Sequence, residues 1–259
     1  MTKKLDEYIK RGEKNILIFH GEKGGVGKSM LALIISYLYV YEGLKIVVID
    51  LDKSNEDVVK ASGNVLAKHK FDGKLEKSWE HMEVIVRETE ADIFVVNLPA
   101  QIEAFLDEHG AHWIADMQSQ FNIVTVWAMG PFRDSYISLG RYLRFGTGEP
   151  VFVAKSMFQV DSDDDFEVFN EKLSGEKPLD LRGGSVFSHH AFPFRLRARI
   201  FDGVQNEAKK TERWSIERFL KENSESRSGG FLVRKVNVAL DKMRAEIGLS
   251  KPEKDEGDE

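Results

Sequence analysis

The sequence predicts an α/β fold, in which a mostly parallel, twisted sheet carries helices on both faces and the chain ends in helices. Short runs with β-strand character alternate with longer helical patterns, an order typical of βα units. The 259 residues are 42% hydrophobic and include only 6 prolines, so the chain can bury a substantial core. Since α/β domains of this length are commonly single units, we expect one domain over residues 1–250.

The predicted strands and helices follow one another along the chain. We predict strands at residues 15–20, 45–50, 92–98, 121–129, 150–157 and 185–189. Helices are predicted at residues 28–41, 56–68, 75–89, 103–117 and 132–145. The stretch 223–230 is rich in serine and glycine, and it predicts a loop before a last helix at 231–249.

The last predicted helix is amphipathic. Its apolar residues recur at spacings of three and four, and basic residues occupy other positions on it. We interpret it as a helix packed on the sheet, with a membrane-binding helix as the alternative. The tail at 251–259, KPEKDEGDE, has no apolar anchors and is predicted to be disordered. Its acidic charge would also repel anionic lipid.

Charge and composition exclude several classes of function. The net charge is -6 and the pI is about 5.7, so no bulk positive field attracts nucleic acid or anionic lipid. The absence of cysteine excludes disulfides, thiolate metal sites, iron–sulfur clusters and cysteine nucleophiles. The N-terminus lacks the apolar core of a secretory signal, and the longest apolar run, 30–41, is too short to span a bilayer. We therefore expect a soluble, cytoplasmic protein with no membrane partner.

A glycine-rich stretch, EKGGVGKS, lies between the first predicted strand and the first predicted helix. Backbone N–H groups at such a strand-to-helix turn surround an anion, and the helix dipole favours negative charge there. Gly24, Gly25 and Gly27 allow close approach to phosphate oxygens. Lys28 would reach the β- and γ-phosphates, and the Ser29 hydroxyl would bind Mg²⁺. The strict phosphate-loop pattern has glycine where this chain has Glu22.

This stretch resembles the deviant Walker A loop of the ParA/MinD family of P-loop ATPases, whose pattern is K-G-G-x-G-K-[ST]. The resemblance implies the three-layer fold of P-loop NTPases, and it implies that the position of Glu22 need not be glycine. Lys23 then matches the signature lysine, which reaches the partner's phosphates in an ATP-sandwiched homodimer. The residues implied to bind ATP or ADP here are Glu22, Lys23, Gly24, Gly25, Val26, Gly27, Lys28, Ser29 and Met30.

Two carboxylates follow the second predicted strand, in KIVVIDLDKSNEDV. The acid-x-acid pair Asp50 and Asp52 resembles the one that the family carries at this place. The resemblance implies that Asp52 orients or activates the attacking water and that Asp50 acts near Mg²⁺. Lys23, Lys28 and Asp52 are thus the predicted catalytic residues. A pair of solvated turn carboxylates is the alternative.

Asn97 marks a departure from the family. The family's third motif ends in hydrophobic-Asp-x-Pro, and this chain has DIFVVNLPAQ, with Asn97 at the place of the Walker B acid. Asparagine keeps a carbonyl acceptor for a metal-bound water but lacks the negative charge. We predict Ser29, Asp50 and Asn97 at the metal, and we hypothesise a weak or partner-stimulated ATPase. The sequence leaves open whether Asn97 is a natural feature or an engineered one.

A weaker resemblance lies in SVFSHHAFPFRLRARIFDG. It is similar to the late strand and proline loop that frame adenine in the family, which implies Pro193, Phe194 and Arg195 beside the base. A basic patch for DNA phosphates is an alternative; it would comprise Arg195, Arg197, Arg199, Lys209, Lys210 and Arg213. A solvated helix face explains the last three of these residues almost as well. For the adjacent His189 and His190 we predict a strand end with one ring buried and one exposed.

The missing cysteines narrow the function within the family, since its iron–sulfur and thiol-dependent members need thiolate ligands. The remaining members that this chain resembles are plasmid ParA-like ATPases, either partition motors or mobilisation proteins of the MobD and TraL type. The resemblance implies non-specific DNA, a DNA-binding adaptor, or a relaxase or coupling protein as partners. Two alternatives remain: a nucleotide-gated interaction module with little turnover, and a P-loop ligase or kinase for a small metabolite. Lys23 disfavours the second of these.

Overall fold

A computed structural model of the chain describes residues 3–21, 24–54, 57–145, 147–175, 178–205, 211–224 and 229–250. Seven parallel strands form one sheet in the order β3-β2-β4-β1-β5-β6-β7. They are β1 (Asn15–His20), β2 (Ile46–Asp50), β3 (Ala67–Lys70), β4 (Ile93–Asn97), β5 (Asn122–Met129), β6 (Val151–Ser156) and β7 (Val186–His189). Two short strands, β8 (Val204–Gln205) and β9 (Thr211–Glu212), form a separate antiparallel pair.

Helices connect the strands and cover the sheet. They are α1 (Lys28–Tyr41), α2 (Asp57–Ala61), α3 (Glu76–Glu88), α4 (Glu103–Phe105), α5 (Ala111–Gln118), α6 (Arg133–Tyr142), α7 (Glu167–Ser174), α8 (Phe194–Phe201), α9 (Ile216–Ser224) and α10 (Gly229–Ile247). A π-helical turn, Leu106–Gly110, joins α4 to α5, and a 3-10 turn, Met157–Gln159, follows β6. The predicted fold class is therefore confirmed.

Two apolar clusters lie on opposite faces of the sheet. Alternate residues of β1 divide between them, with Leu17 and Phe19 in one cluster and Ile16 and Ile18 in the other. Helices α1, α8, α9 and α10 contribute to the first cluster, and α3, α5, α6 and α7 to the second. Strands β1, β2, β4 and β6 are buried along their whole length, as expected for a sheet covered on both faces.

The last helix packs against the first cluster, as the sequence analysis favours. Val236, Leu240, Met243 and Ile247 are buried on this face of α10. Among the residues that the structure describes, no helix has both the length and the apolar character needed to cross a bilayer. The tail at 251–259 lies outside the described residues.

The prediction of a helix at 56–68 is wrong in its second half. Helix α2 ends at Ala61, Gly63 adopts a φ of 62°, and Ala67–Lys70 forms the edge strand β3. An edge strand pairs on one side only and tolerates lysine, so the sequence AKHK lacks the apolar signal of the inner strands. Residue 56 lies outside the described residues.

Two further boundaries differ from the predictions. The helix predicted at 103–117 is interrupted by the π-helical turn, which inserts an extra residue into the hydrogen-bonding pattern. The loop predicted at 223–230 is narrower, because Asn223 and Ser224 end α9 and Gly229 already begins α10. Residues 225–228 lie outside the described part of the chain.

Candidate functional site

A cavity of about 360 Å³ opens at the carboxyl ends of the parallel strands. Ligands of open α/β sheets bind at this edge, because the loops that leave the strands converge there. The cavity is lined by Gly24, Gly25, Val26, Gly27, Lys28, Ser29, Met30, Asp52, Asp57, Ala100, Phe158, His189, His190, Phe192, Arg197, Ala198, Phe201 and Asp202. The described residues of the predicted phosphate loop therefore lie at one cavity together with Asp52.

The phosphate loop connects β1 to α1. Gly25 and Gly27 have φ values of 80° and 87°, which glycine adopts without the steric cost that a side chain would add. The Gly27 carbonyl accepts the first hydrogen bond of α1, from Leu31 N at 2.9 Å. Lys28 and Ser29 thus occupy the first turn of α1, where free N–H groups and the helix dipole favour an anion. Lys28 is 7% exposed and faces the cavity.

Asp50 and Asn97 lie opposite each other at the ends of the neighbouring strands β2 and β4. Asn97 Nδ2 donates a hydrogen bond of 2.9 Å to Asp50 Oδ1, and both side chains are fully buried. Burial raises the pKa of Asp50 to about 6, against the opposing effect of the hydrogen bond from Asn97. The amide group of Asn97 therefore serves as a donor that holds Asp50, a role that an aspartate could fill only when protonated.

Two oxygens of this pair have no partner among the described residues. Asp50 Oδ2 and Asn97 Oδ1 are both buried and accept no hydrogen bond. Buried acceptors of this kind cost free energy unless a ligand, ion or water satisfies them. In the described part of the chain, no group of three or more His, Asp or Glu residues could hold a metal. The residues present suit Mg²⁺, which is held by few protein oxygens, several waters and substrate phosphates.

Asp52 and Asp57 bring negative charge to the cavity wall. Asp52 Oδ1 accepts hydrogen bonds from Ser54 Oγ at 2.6 Å and Ser54 N at 3.1 Å, so the carboxylate is held in one orientation. Asp57, at the start of α2, forms an ion pair with Arg213. Asp52 lies at the same cavity as Lys28.

Helix α8 supplies a wall of the cavity that was not predicted from the sequence. Its lining residues Arg197, Ala198 and Phe201 recur at helical spacing. Buried Nε of Arg197 has no hydrogen-bond partner among the described residues. Pro193 precedes α8 and borders a separate hollow with Lys235 and Lys242 rather than the main cavity. A helix predicted immediately after Pro193 would have shown that Arg197 and Phe201 share one face.

The predicted basic patch is divided by this arrangement. Arg197 lines the cavity, while Arg199 stacks on Trp214 with 4.9 Å between the guanidinium carbon and the ring centroid. Arg213 pairs with Asp57. The side chains of Phe194 and Arg195, and the whole of Lys209 and Lys210, lie outside the described part of the structure. The described arginines therefore do not form one continuous surface.

Two buried histidines flank the phosphate loop. His20, the last residue of β1, contacts Trp127 edge-on with 4.4 Å between ring centroids. Burial, together with the charge of Lys28, lowers the pKa of His20 to about 3. Burial and the neighbouring His190 lower the pKa of His189 to about 3 as well. As predicted, His189 is buried at the strand end, whereas His190 is partly exposed beside Glu246.

The sequence of the whole sheet region matches a known family. Residues 17–247 match the CobQ/CobB/MinD/ParA nucleotide binding domain. The chain belongs to this family. No curated protein sequence matches the chain. Membership in the CobQ/CobB/MinD/ParA family agrees with the resemblance that the loop residues predict.

Solved structures with similar topology include two plasmid partition proteins. One, from Borrelia burgdorferi, has 16% identity and a TM-score of 0.46, covering 69% of this chain and 91% of that chain. A putative one from Borrelia burgdorferi B31, bound to AMPPNP, has 15% identity and a TM-score of 0.47, covering 73% and 88%. A nucleotide-binding protein from Archaeoglobus fulgidus, in complex with ADP, has 14% identity and a TM-score of 0.47, covering 71% and 84%. Likeness at this level says nothing about function.

Within this CobQ/CobB/MinD/ParA domain, the predicted site residues divide into four groups. Gly24 to Met30 and Asp52 line the cavity, while Asp50 and Asn97 form a buried pair at the same edge of the sheet. Pro193 lies beside a neighbouring hollow. Glu22 and Lys23 lie outside the described residues, so the role of the signature lysine stays a prediction.

Proposed function

We propose that this protein is an ATPase of the ParA/MinD type that binds ATP with Mg²⁺, dimerises around it and hydrolyses it slowly or on stimulation by a partner. The observation that carries the proposal is the convergence of the phosphate loop, Lys28, Ser29 and Asp52 on one cavity. The family of nucleotide-binding domains to which the chain belongs supports the same ligand class. We further propose a role in plasmid DNA partition or conjugative DNA transfer.

Each described residue has a chemical task in this proposal. Backbone N–H groups of the loop and the Lys28 ammonium bind phosphate oxygens, since both present positive charge to an anion. Ser29, Asp50 and Asn97 hold the metal, directly or through water. Asp52, whose orientation is set by Ser54, positions the attacking water. When bound, Mg²⁺ neutralises charge that develops on the phosphates.

Slow turnover is proposed from the chemistry of Asn97. The side chain carries no charge, and one of its two amide hydrogens is donated to Asp50. The metal site therefore has one negative charge fewer than the family's usual site, which weakens the attraction for Mg²⁺. The same observation favours a second candidate function, a nucleotide-gated interaction module whose ATP-bound form displays a surface and scarcely turns over.

The proposed dimer depends on Lys23, which a sequence substitution can test directly. We expect sedimentation of the wild-type protein to show dimers with ATP and Mg²⁺ and monomers with ADP. Lys23→Ala should keep nucleotide binding and lose the dimer, because the lysine would contact only the partner's phosphates. The control is Lys53→Ala, which removes an exposed lysine that pairs with Asp72 at 3.3 Å. Dimers of Lys23→Ala with ATP would contradict the sandwich arrangement.

The proposed DNA partner needs a separate assay. A partition ATPase should be retained on non-specific DNA in its ATP state and released in its ADP state, with affinity that falls steeply as salt rises. A mobilisation protein need not bind DNA itself and would instead bind a relaxase or coupling protein. Equal retention in both nucleotide states, or none, would contradict the partition role and leave the transfer role to be tested by partner binding.

A further inference from the structure

The end of β6 and the 3-10 turn after it support the phosphate loop through two side chains that do not line the cavity. Ser156, the last residue of β6, donates its hydroxyl hydrogen to the Val26 carbonyl. Gln159, at the end of the following 3-10 turn, donates from Nε2 to the Gly25 carbonyl at 2.8 Å. Two successive carbonyl groups of the loop are thus held by side chains more than a hundred residues away. Ser156 is fully buried, whereas Gln159 is exposed.

The geometry of the peptide bond gives these contacts a consequence for anion binding. In a planar trans peptide, the carbonyl group and the following N–H group point in opposite directions. Holding the Gly25 carbonyl toward Gln159 therefore turns the Val26 N–H away from Gln159. The bond from Ser156 to the Val26 carbonyl likewise turns the Gly27 N–H away from Ser156. Val26 and Gly27 both line the cavity, which is where the N–H groups of a phosphate loop would meet an anion.

Two aromatic rings fix the loop at Gly27. A Cβ atom at this glycine would lie 2.6 Å from Phe158 Cζ and 3.0 Å from His189 Nε2, which leaves no room for a side chain. The rings of Phe158 and His189 meet edge-on with 5.2 Å between centroids. The loop therefore packs against the same turn that supplies the two hydrogen bonds, and its backbone has little freedom to rotate.

We propose that Ser156 and Gln159 are positioning residues of the phosphate loop, which hold the carbonyls of Gly25 and Val26 outward so that the next two N–H groups face an incoming phosphate. The proposal rests on the proposed nucleotide function. Neither residue lines the cavity. Both act by removing conformations of the loop that a phosphate could not use, so less entropy is lost when it binds.

The test compares phosphate-bearing ligands with a ligand that lacks phosphate. ADP with Mg²⁺ and adenosine are titrated into the full-length wild type, Ser156→Ala and Gln159→Met. Ser185→Ala removes another serine hydroxyl that bonds a backbone carbonyl, that of Lys3 at 2.8 Å, and serves as the matched control. Gln120→Met is the control for the glutamine, because Gln120 follows α5 and precedes β5 and thus lies at the opposite edge of the sheet.

Each test variant should bind ADP about fivefold more weakly, as expected for the loss of one hydrogen bond that orients the site. Adenosine affinity and both controls should stay within about twofold of wild type. Unchanged ADP affinity in both variants, or an equal loss for adenosine, would overturn the proposal. If Ser156→Ala does not fold, the result is decided by Gln159→Met, because Gln159 is exposed and its substitution should leave the fold intact. Failure of the wild type to bind ADP would instead reject the proposed function itself.

Discussion

The phosphate loop and the ends of β2 and β4 border the same edge of the sheet, but their polar groups are satisfied to different degrees. In the loop, the carbonyls of Gly25 and Val26 both accept side-chain hydrogen bonds. At the strand ends, Asp50 Oδ2 and Asn97 Oδ1 are buried with no partner among the described residues. In the proposed site, the protein itself holds the backbone of the phosphate-binding half, whereas the metal-binding half has buried acceptors that a ligand, an ion or water would satisfy.

Removal of the Lys28 ammonium should produce the largest change in nucleotide affinity, because it removes a positive charge from the proposed phosphate-binding half of the site. We expect Lys28→Ala to bind ADP and ATP at least about 100-fold more weakly, since charge-assisted contacts to phosphate are among the strongest. Isothermal titration measures the affinity, and Lys10→Ala, a side chain 57% exposed, is the control. Binding by Lys28→Ala within about threefold of wild type would contradict the placement of the phosphates.

In the proposed metal-binding half, Asp50→Asn should change stability and metal binding in opposite directions. The pKa of Asp50 is raised from 3.8 to about 6, so the folded protein holds a proton that the unfolded chain releases. The ionised group therefore destabilises the fold above pH 6, by about 3 kcal/mol relative to pH below 4. We expect Asp50→Asn to raise the free energy of unfolding at pH 7 by up to this amount and to weaken Mg²⁺-dependent nucleotide binding.

Urea unfolding in the presence of a chelator measures this effect. The exposed Asp241→Asn is the control, and its free energy of unfolding should match that of the wild type. The gain of Asp50→Asn should shrink as the pH falls from 6 to 4, where the wild-type carboxyl becomes neutral. A less stable Asp50→Asn protein at pH 7 would show that the ionised carboxylate stabilises the fold, and it would contradict this account.

The buried histidines beside the loop should make the protein sensitive to acid. His20 and His189 have pKa values lowered to about 3, while the unfolded chain takes up protons near pH 6.5. Their contribution to stability is thus complete above pH 6.5 and is lost as the pH falls, by about 2 kcal/mol each at pH 5. Between pH 6 and 4, protonation of Asp50 in the folded protein raises the free energy of unfolding and so acts in the opposite direction. It involves one proton, whereas the two histidines of the unfolded chain take up two.

His189→Gln isolates one of these contributions. As the pH falls from 6.5 to 5, its free energy of unfolding should fall less steeply than that of the wild type. The difference in slope should correspond to about one proton fewer taken up on unfolding. The matched control is His190→Gln, which changes the adjacent, partly exposed ring. Parallel pH profiles for the wild type and His189→Gln would mean that the ring is protonated in the folded protein.

Arg197 offers a smaller test of the cavity wall that the sequence did not reveal. The Nε atom of Arg197 is buried and has no hydrogen-bond partner among the described residues. A bound nucleotide could therefore accept a hydrogen bond from it. We expect Arg197→Ala to weaken ATP binding about tenfold. Arg199→Ala, which removes a guanidinium from the same helix but outside the cavity, should bind normally. Equal losses in the two variants would indicate damage to α8 rather than a lost contact.

Much of this architecture follows from local patterns in the sequence. Inner strands such as Ile46–Asp50 are apolar up to their last residue because both faces are covered, and the glycine-rich loop predicted the start of α1 at Lys28. Edge strand β3 could not be predicted in this way, since its residues gain little burial and need no apolar pattern. A helical pattern was predicted after the last strand, but no helix was predicted directly after Pro193, because this residue indicated a loop; proline also precedes helices readily.

The candidate site was only partly predictable for a related reason. Asp50 and Asn97 could be placed at neighbouring strand ends, but the direction of their hydrogen bond depends on the register between β2 and β4. The contacts from Ser156 and Gln159 to the loop join residues far apart in sequence, and no local pattern encodes them. Tertiary packing therefore determines which polar groups of the site remain unsatisfied.

The most direct test of the contrast between the phosphate-binding and metal-binding halves uses two proteins, the wild type and Asn97→Asp. Nucleotide affinity and single-turnover hydrolysis are measured on the same samples of each. We expect both proteins to bind ATP, and Asn97→Asp at least as tightly as the wild type, because the phosphate loop is intact in each and the substitution adds negative charge at the proposed metal site. Asn97→Asp should hydrolyse it about tenfold faster, because the added charge holds Mg²⁺ and its water more firmly. Rapid hydrolysis by the wild type without any partner, unchanged by the substitution, would contradict the account.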